Sequence, residues 1–204
     1  MSQLSAVIEL CKKYNYVDGQ KAILEMKENS GRNWRQTEWI GWYYEFLIDK
    51  FDFRNKIPYI SPTGRKTYLD YRLDSILTDL KTHIINSSSG IILNDKKVLE
   101  DAIEKEGKIQ ILLLNGNANK DDSDRSFQKW HCNLAKSEFN PKGRIRKIDF
   151  ELLSIYLLEI NKNNKNKLSI MKQGKNSNGK PRPEKFIIKD KDIQYFCLEE
   201  INIL

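Results

Sequence analysis

Two aspartates and a lysine are spaced so that a β-hairpin would bring them together. Asp79 and Lys81 are two residues apart, so on a strand their side chains lie on the same face. Asp70 lies in the preceding stretch, and pairing of the two stretches would place it beside them. Two carboxylates suit Mg²⁺, which keeps several waters for a phosphate to displace, and an ammonium stabilises the attacking water or the charge on phosphoryl oxygens. The spacing therefore predicts a Mg²⁺-dependent site that hydrolyses phosphate esters.

The neighbours of these residues favour a functional role over a structural one. Residues 76–85 include five isoleucines and leucines, and an unpaired carboxylate in so apolar a strand is costly unless a cation compensates it. The alternative is that both aspartates are exposed strand residues beside a surface lysine. Asp74 competes with Asp70 for the first position. We prefer Asp70, because Asp74 lies at the predicted turn.

The elements that must position this hairpin alternate between helix and strand. The first half of the chain is predicted to form two short helices over 3–28, a long buried helix over 34–51, a loop at Pro58 and 61–64, the hairpin over 66–85, a helix over 96–106 that stops at Gly107, and a buried strand over 108–116. The second half is predicted to form a polar loop over 117–125, a helix over 127–134, a mobile loop over 161–183, and strand-like segments over 185–189 and 193–203. The pattern over 148–160 fits either a helix or a strand, and we take 150–160 as a helix. The order predicts an α/β fold.

The positive charge is concentrated in one part of the chain. The net charge is +7, and residues 161–191 hold ten basic and two acidic side chains, so the rest of the chain is nearly neutral. Such a segment suits a polyanion, because phosphate neutralisation supplies much of nucleic-acid affinity. A composition bias in a solvated loop is the alternative. No apolar run is long enough to span a membrane, and the three scattered cysteines argue against a disulfide framework and a zinc site.

The motif and its setting resemble the PD-(D/E)XK nuclease superfamily. The core of that superfamily is a helix, a three-stranded meander that carries the catalytic motif, a second helix and a further strand, and the predicted order is similar over 34–115. Asp79-Leu80-Lys81 is similar to the second half of the motif, whereas Leu69-Asp70 departs from the proline or small apolar residue that is commonest in the first half. The resemblance implies a mixed central sheet flanked by helices, with Asp70 and Asp79 as Mg²⁺ ligands.

Superfamily members often carry a further glutamate on the first core helix, some turns after a glycine. The stretch from Gly41 to Glu45 is similar to that arrangement, so Glu45 is our candidate for the catalytic site, with Glu38 as a rival. An exposed helix glutamate paired with a neighbour is the alternative for either one. The segments Gly64-Arg65-Lys66, 79–83 and 127–131 resemble local sequences of type II restriction endonucleases.

Candidate DNA contacts lie downstream of the motif lysine, where histidines, arginines and lysines could reach phosphates or base edges. The residues predicted to bind DNA are His83, His131, Arg144, Arg146, Lys172, Lys175, Lys180 and Arg182. A packed histidine, an aromatic cluster under a loop and plain disorder are the respective alternatives for His83, His131 and the lysine-rich tract.

The predicted function is Mg²⁺-dependent cleavage of duplex DNA at a short, palindromic sequence by a type II restriction endonuclease. We expect one nuclease domain over 1–204, with a helical extension over 1–30, a catalytic core over 34–115, and DNA-recognition and dimerisation elements over 116–204 that include the basic loop 161–183. Since one motif cuts one strand, we expect a homodimer. Because the sequence contains no membrane-spanning run and no leader pattern, we expect a cytoplasmic location. A structure-selective or repair nuclease of the same superfamily and a non-catalytic DNA-binding protein are the alternatives.

Overall fold

A curled, mixed β-sheet flanked by helices forms the centre of the protein, in a computed structural model that describes residues 2–31, 33–50, 69–85, 87, 90–176 and 178–203. The mixed α/β class predicted from the sequence is therefore confirmed. The predicted loop at Pro58 and 61–64, the end of the long helix at Phe51, the start of the hairpin over 66–68 and the Gly64-Arg65-Lys66 segment lie outside the described residues.

The described residues form five α-helices and nine strands. The helices are α1 (Gln3–Lys13), α2 (Gly19–Glu28), α3 (Trp39–Lys50), α4 (Lys96–Glu106) and α5 (Ser126–Ala135). The strands are β1 (Tyr16–Asp18), β2 (Tyr71–Leu73), β3 (Ile76–Ile84), β4 (Ile91–Asp95), β5 (Lys108–Asn117), β6 (Asp149–Asn161), β7 (Ser169–Met171), β8 (Lys185–Ile188) and β9 (Cys197–Asn202). Two short 3₁₀ turns cover Lys165–Lys167 and Asp190–Tyr195. None of the described helices is long and apolar enough to cross a membrane.

The main sheet has the strand order β1-β6-β5-β3-β2, and β9 pairs with β6 farther along that strand than β1 does. β3 and β5 run parallel, and the other neighbours are antiparallel. A parallel pair needs a crossover connection, which β4 and α4 provide here. The predicted helix over 96–106 and its stop are confirmed: Gly107 has a φ of 81°, a left-handed conformation that suits glycine at a helix end.

The helix predicted over 150–160 is wrong, because these residues belong to β6. β6 pairs with β5 along one edge and with β1 and β9 along the other. Its residues contribute to a core on each face of the sheet, so apolar residues do not alternate cleanly with polar ones. An irregularity in the pairing at Asn115/Gly116 also shifts the alternation along the strand. At this point Gly116 lies so close to the backbone carbonyl of Glu151 that a Cβ would clash.

The two faces of the main sheet pack against different layers. On β5, Leu112 and Leu114 belong to a core with α1, α2 and α3, whereas Ile111 and Leu113 belong to a second core with α4 and β8. Burial of each such side chain contributes about 1.5–3 kcal/mol. The continuous apolar run predicted as a buried strand is thus explained by a sheet that is covered on both faces.

A smaller antiparallel sheet, in the order β4-β8-β7, lies beside the second core. Its strands β7 and β8 are joined by residues 172–184, which fall largely within the loop predicted over 161–183. That prediction was too wide, because β7 and a 3₁₀ turn also lie inside it. The first two predicted helices are confirmed as α1 and α2, and the short strand β1 between them was not predicted.

Candidate active site

The hairpin of β2 and β3 places Asp70 beside Asp79. The register pairs Tyr71 with Thr78, so Asp70 is the next residue along and faces Asp79 across the hairpin. Regular pairing ends there, and Oδ2 of Asp70 accepts a hydrogen bond from the backbone N–H of Leu80 at 2.9 Å. The side chain thus takes the acceptor role that a strand carbonyl would otherwise have, and this holds the carboxylate against β3.

The turn of the hairpin explains why Asp74 does not take part. Asp74 and Ser75 have positive φ angles of 47° and 71°, typical of the two-residue turns that match the twist of a hairpin. The Asp74 carboxylate accepts hydrogen bonds from the backbone N–H groups of Gln3 and Leu4, at 2.9 and 3.1 Å. It therefore anchors the start of α1 and leaves Asp70 as the aspartate next to Asp79.

Asp79 is a buried carboxylate whose hydrogen-bonding capacity is largely unused. Only 1% of it is exposed, and neither carboxylate oxygen accepts a well-formed hydrogen bond from the described residues. The ammonium of Lys81 lies 2.6 Å from Oδ2, so the two side chains form an ion pair on the same face of β3. A buried carboxylate with this one ion pair keeps much of its desolvation cost, which an added cation would offset.

Glu45 reaches the same place from α3. The helix approaches β3 closely at Gly41, where a Cβ would lie 3.6 Å from Oγ1 of Thr82. Trp39, which is fully buried, holds the start of α3 by donating a hydrogen bond from its ring nitrogen to the carbonyl of Lys147 at 2.9 Å. Burial raises the pKa of Glu45 to about 7; Asp79 acts in the same direction and Lys81 opposes them.

The other ionisable groups at this site also have shifted pKa values. Burial, followed by the charges of Asp79 and Glu45, raises the pKa of Asp70 well above its ordinary value. For Lys81 burial acts to lower the pKa, but the surrounding carboxylates outweigh it and raise the pKa above the ordinary lysine value. Three carboxylates around one ammonium cannot all ionise at low cost, so Asp70 and Glu45 hold protons more readily, and a metal cation would favour their ionised forms.

These side chains form the floor of an open cleft of about 490 Å³. Several cleft residues were not predicted from the sequence: Trp42, Asn94, Asp95, Val98, Lys147 and Lys185. Asp95 was expected as the N-cap of the helix over 96–106, and it does precede α4, but its side chain makes no capping hydrogen bond. It lies instead 4.0 Å from the ammonium of Lys185. No spacing in the sequence links Lys147 or Lys185 to the hairpin, because they come from distant elements.

The donor set fits a Mg²⁺ ion held by few protein ligands. The described residues contain no group of three or more histidine, cysteine, aspartate or glutamate side chains arranged to hold a metal ion. Mg²⁺ is commonly bound by one or two carboxylates and keeps its other ligands as water. The oxygens of Asp79, which accept no well-formed hydrogen bond within the described ranges, and the adjacent carboxylate of Asp70 match that pattern.

The two histidines predicted to contact DNA are buried, which argues against direct contact of either with DNA. His131 is fully buried: Nε2 donates to the carbonyl of Trp34 at 2.8 Å and Nδ1 accepts from the guanidinium of Arg146. Arg146 is thereby committed to this internal contact as well. His83 is 7% exposed, with Nδ1 at 3.0 Å from Oδ1 of Asn115 and Nε2 at 3.3 Å from Oγ of Ser87. The protein thus encloses both histidines, and the half-buried Arg146 is bound to one of them.

The remaining predicted DNA contacts are exposed. Arg144 lies 2.6 Å from Oε1 of Glu38, and Lys147 lies 3.3 Å from its Oε2. Glu38 therefore neutralises two cations at the rim of the cleft. The basic residues of the β7–β8 connection are all at the surface, namely Lys172, Lys175, Lys180 and Arg182.

Comparison with known proteins identifies no relative. No family model matches the chain, and no curated protein or solved structure matches it either. We therefore infer its function from the chemistry of the site.

Proposed function

We propose that this protein is a Mg²⁺-dependent endonuclease that cleaves duplex DNA at a short, palindromic sequence, as a type II restriction endonuclease with a PD-(D/E)XK-like core. The observation that carries the proposal is the buried Asp79, with Lys81 at 2.6 Å and Asp70 opposite it, at the floor of an open cleft. The order of α3, β2, β3, α4 and β5 supports it, whereas the third strand of the expected meander differs, because β4 pairs with β8 in the smaller sheet and not with β3.

Each acidic residue has a role that its surroundings support. Asp70 and Asp79 would hold Mg²⁺, which supplies Lewis-acid polarisation of the phosphate and lowers the pKa of bound water. Glu45, with a pKa of about 7, is suited to accept the proton of the attacking water, since a general base works best near the ambient pH.

The ammonium of Lys81 would orient the attacking water and stabilise the negative charge that develops on the phosphoryl oxygens. As the resemblance implies, the water oxygen would bond to phosphorus as the bond to the 3′ oxygen breaks. The 3′ oxygen would take a proton from solvent water, which leaves a 5′-phosphate and a 3′-hydroxyl. The raised pKa of Lys81 keeps the side chain charged throughout the physiological range, so it acts by its charge and not as a base.

The cleft is flanked by cations that would hold the DNA backbone. Lys147 and Lys185 line it from separate elements, the segment before β6 and the start of β8. Lysines attract phosphates from either strand without reading sequence, so they would position the scissile phosphate over the carboxylates. A homodimer would then supply a second cleft for the second strand.

Cleavage of a long, unmethylated duplex DNA tests this function. The wild type is incubated with Mg²⁺ or with EDTA, and new ends are sequenced. We expect discrete fragments that require Mg²⁺ and share a palindrome at their ends. Lys81→Ala should abolish cleavage while leaving DNA binding nearly intact, whereas Lys97→Ala, which removes an exposed lysine of α4 outside the cleft, should cut normally.

Other results would redirect the assignment. Cleavage that prefers branched over linear duplexes would indicate a structure-selective nuclease. Tight, salt-sensitive binding without cleavage would indicate a non-catalytic DNA-binding protein. If Lys81→Ala still cuts, the reaction does not take place at this site.

A further inference from the structure

Residues 172–184 connect β7 and β8 of the small sheet, and we call them the basic hairpin because the described residues among them fold back on each other. The backbone N–H of Arg182 donates to the carbonyl of Gly174 at 3.0 Å, and that of Asn176 donates to the carbonyl of Lys180 at 2.8 Å. Gly179, with a φ of 77°, occupies the turn at the tip. Apart from Gln173 and Glu184, which are partly buried, the described residues of this segment are exposed, so the hairpin stands away from the core.

The cations of the basic hairpin are free to meet an external partner. Residues 172–183 hold four basic side chains and no acidic one. Within the described part of the chain, none of the four makes an ion pair or a side-chain hydrogen bond: Lys172, Lys175, Lys180 and Arg182. This differs from the pairing of Arg144 with Glu38 at the cleft. Unpaired cations held on a fixed scaffold suit the phosphates of a nucleic acid.

Two amide side chains of the hairpin make hydrogen bonds within the protein, and a third makes none with the described residues. Gln173 donates to the carbonyl of Pro183 at 2.7 Å, and the side chain of Asn178 accepts from the backbone N–H of Lys180 at 3.1 Å. Asn176, next to the tip, makes no side-chain hydrogen bond with any residue in the described ranges, and it is exposed. An asparagine amide can pair with both hydrogen-bonding groups on the edge of adenine.

The base of the hairpin is fixed at the rim of the candidate active site. The carbonyl of Glu184 accepts a hydrogen bond from the backbone N–H of Lys96, at the start of α4, at 2.8 Å. The next residue, Lys185, lines the cleft and pairs with Asp95 in the register of β8 and β4. A duplex lying in the cleft would therefore meet the hairpin, which can reach about 15 Å from its base at the rise of an extended chain.

We propose that the basic hairpin enters the major groove of the duplex DNA bound in the cleft and reads sequence through Asn176, with its four cations on the flanking phosphates. The inference rests on the proposed function in taking DNA as the substrate of the cleft. The major groove is about 12 Å wide and about 8.5 Å deep, and it admits a two-stranded ribbon. The major groove of duplex RNA is deep and narrow, and side chains do not read it.

Binding measured in EDTA tests the inference separately from cleavage. A 30-base-pair DNA duplex is titrated at several salt concentrations with the wild type and with Lys172→Gln/Lys175→Gln/Lys180→Gln. We expect the triple variant to bind on the order of tenfold more weakly, with a salt slope smaller by about 0.9 for each phosphate that the protein no longer neutralises. The matched control is Lys13→Gln/Lys21→Gln/Lys105→Gln, which removes the same charge from positions outside the cleft and should bind like the wild type.

Two further measurements test which groove the hairpin enters and whether Asn176 reads the base sequence. Dimethyl sulfate methylates guanine N7 in the major groove and adenine N3 in the minor groove, and we expect the wild type to protect N7. Asn176→Ala should keep the salt slope but relax the sequence preference obtained by selection from random duplexes. Thermal melting of each variant verifies that the hairpin changes leave the core intact.

The two proposals fail differently. If the wild type does not cleave DNA with Mg²⁺ but still binds DNA through the hairpin, the proposed nuclease function is overturned. The hairpin inference then still stands. Equal DNA binding by the triple variant and its control, protection at adenine N3 alone, or hairpin-dependent binding of duplex RNA as tight as that of DNA overturns the hairpin inference. An unchanged sequence preference in Asn176→Ala overturns the reading role of that residue.

Discussion

The carboxylate of Asp70 accepts a hydrogen bond from the backbone N–H of Leu80 at 2.9 Å, at the point where β2 ends and β3 continues. This bond has a structural and a chemical consequence. It satisfies a backbone donor that has no strand partner there, and it places the carboxylate beside Asp79 and Lys81. The substitution Asp70→Asn keeps the hydrogen-bond acceptor and removes the negative charge, so the two roles of Asp70 can be tested separately.

Asp70→Asn should lose activity without losing stability. The amide oxygen can still accept from Leu80, while the charge that would hold Mg²⁺ is gone. We expect cleavage to fall at least about a hundredfold, which is about 2.7 kcal/mol of transition-state stabilisation. The metal-free Tm should stay equal or rise, because one of two adjacent buried carboxylates is removed. Asp70→Ala, which also removes the acceptor, should lose about 1 kcal/mol of folding free energy. Normal cleavage by Asp70→Asn would show that this residue is not a metal ligand.

Glu45 should make the metal-free protein less stable as the pH rises. Burial raises its pKa to about 7 from 4.5, so between these values the folded state holds a proton that the unfolded chain has released. The free energy of unfolding then falls with increasing pH across this window, by up to about 3 kcal/mol. Urea unfolding in EDTA at pH 5 and pH 7.5 measures the difference, which should be smaller for Glu45→Gln. Parallel profiles for the two proteins would contradict the raised pKa.

Glu38→Gln distinguishes the two candidate glutamates. Glu38 is exposed and pairs with Arg144 and Lys147, so its removal frees two cations at the rim of the cleft. We expect DNA to bind about fivefold more tightly, on the order of 1 kcal/mol, with cleavage retained. Glu28→Gln, an equal charge change on the exposed surface of α2, serves as the control. If Glu38→Gln binds DNA but does not cut it, Glu38 and not Glu45 belongs to the catalytic site.

His131 should stabilise the fold in its neutral form. Burial lowers its pKa, with Arg146 acting in the same direction and the carbonyl of Trp34 opposing them. As the pH falls below about 6.5, the unfolded chain takes up a proton that the folded protein resists, so stability is lost on acidification. His131→Ala should remove this pH dependence and cost about 2–3 kcal/mol, since Arg146 and the carbonyl lose their partner inside the core. Unfolding from pH 5 to pH 8 measures both effects.

The control for this prediction is Lys129→Ala, an exposed change on the same helix, α5, which should leave the pH profile unchanged. DNA affinity at neutral pH should be the same for folded His131→Ala and for the wild type. A direct loss of DNA affinity in a folded His131→Ala protein would restore the DNA-binding role that the sequence suggested and the burial argues against.

The candidate site could be predicted where its geometry is local. A two-residue spacing on a strand puts Asp79 and Lys81 on one face whatever surrounds them, and a tight turn at Asp74-Ser75 places Asp70 opposite. The boundaries of α4 were equally accessible, because apolar spacing and a glycine stop depend on neighbours within a few residues.

Tertiary structure decided what depends on distant parts of the chain. Residues 149–161 form a strand and not a helix because they pair with β5 along one edge and with β1 and β9 along the other. Packed layers cover both faces of the sheet, which removes the apolar–polar alternation that marks a strand with one exposed face. His131 is buried against the carbonyl of Trp34, far away in the sequence, and Arg146 in turn binds His131. Lys147 and Lys185 reach the cleft only through the packing of α3 and the pairing of β4 with β8. The periodicity of apolar residues reports the local conformation of the backbone. Burial and the contacts between charged side chains depend on which surfaces pack together. The information that decides this packing is spread over the whole chain.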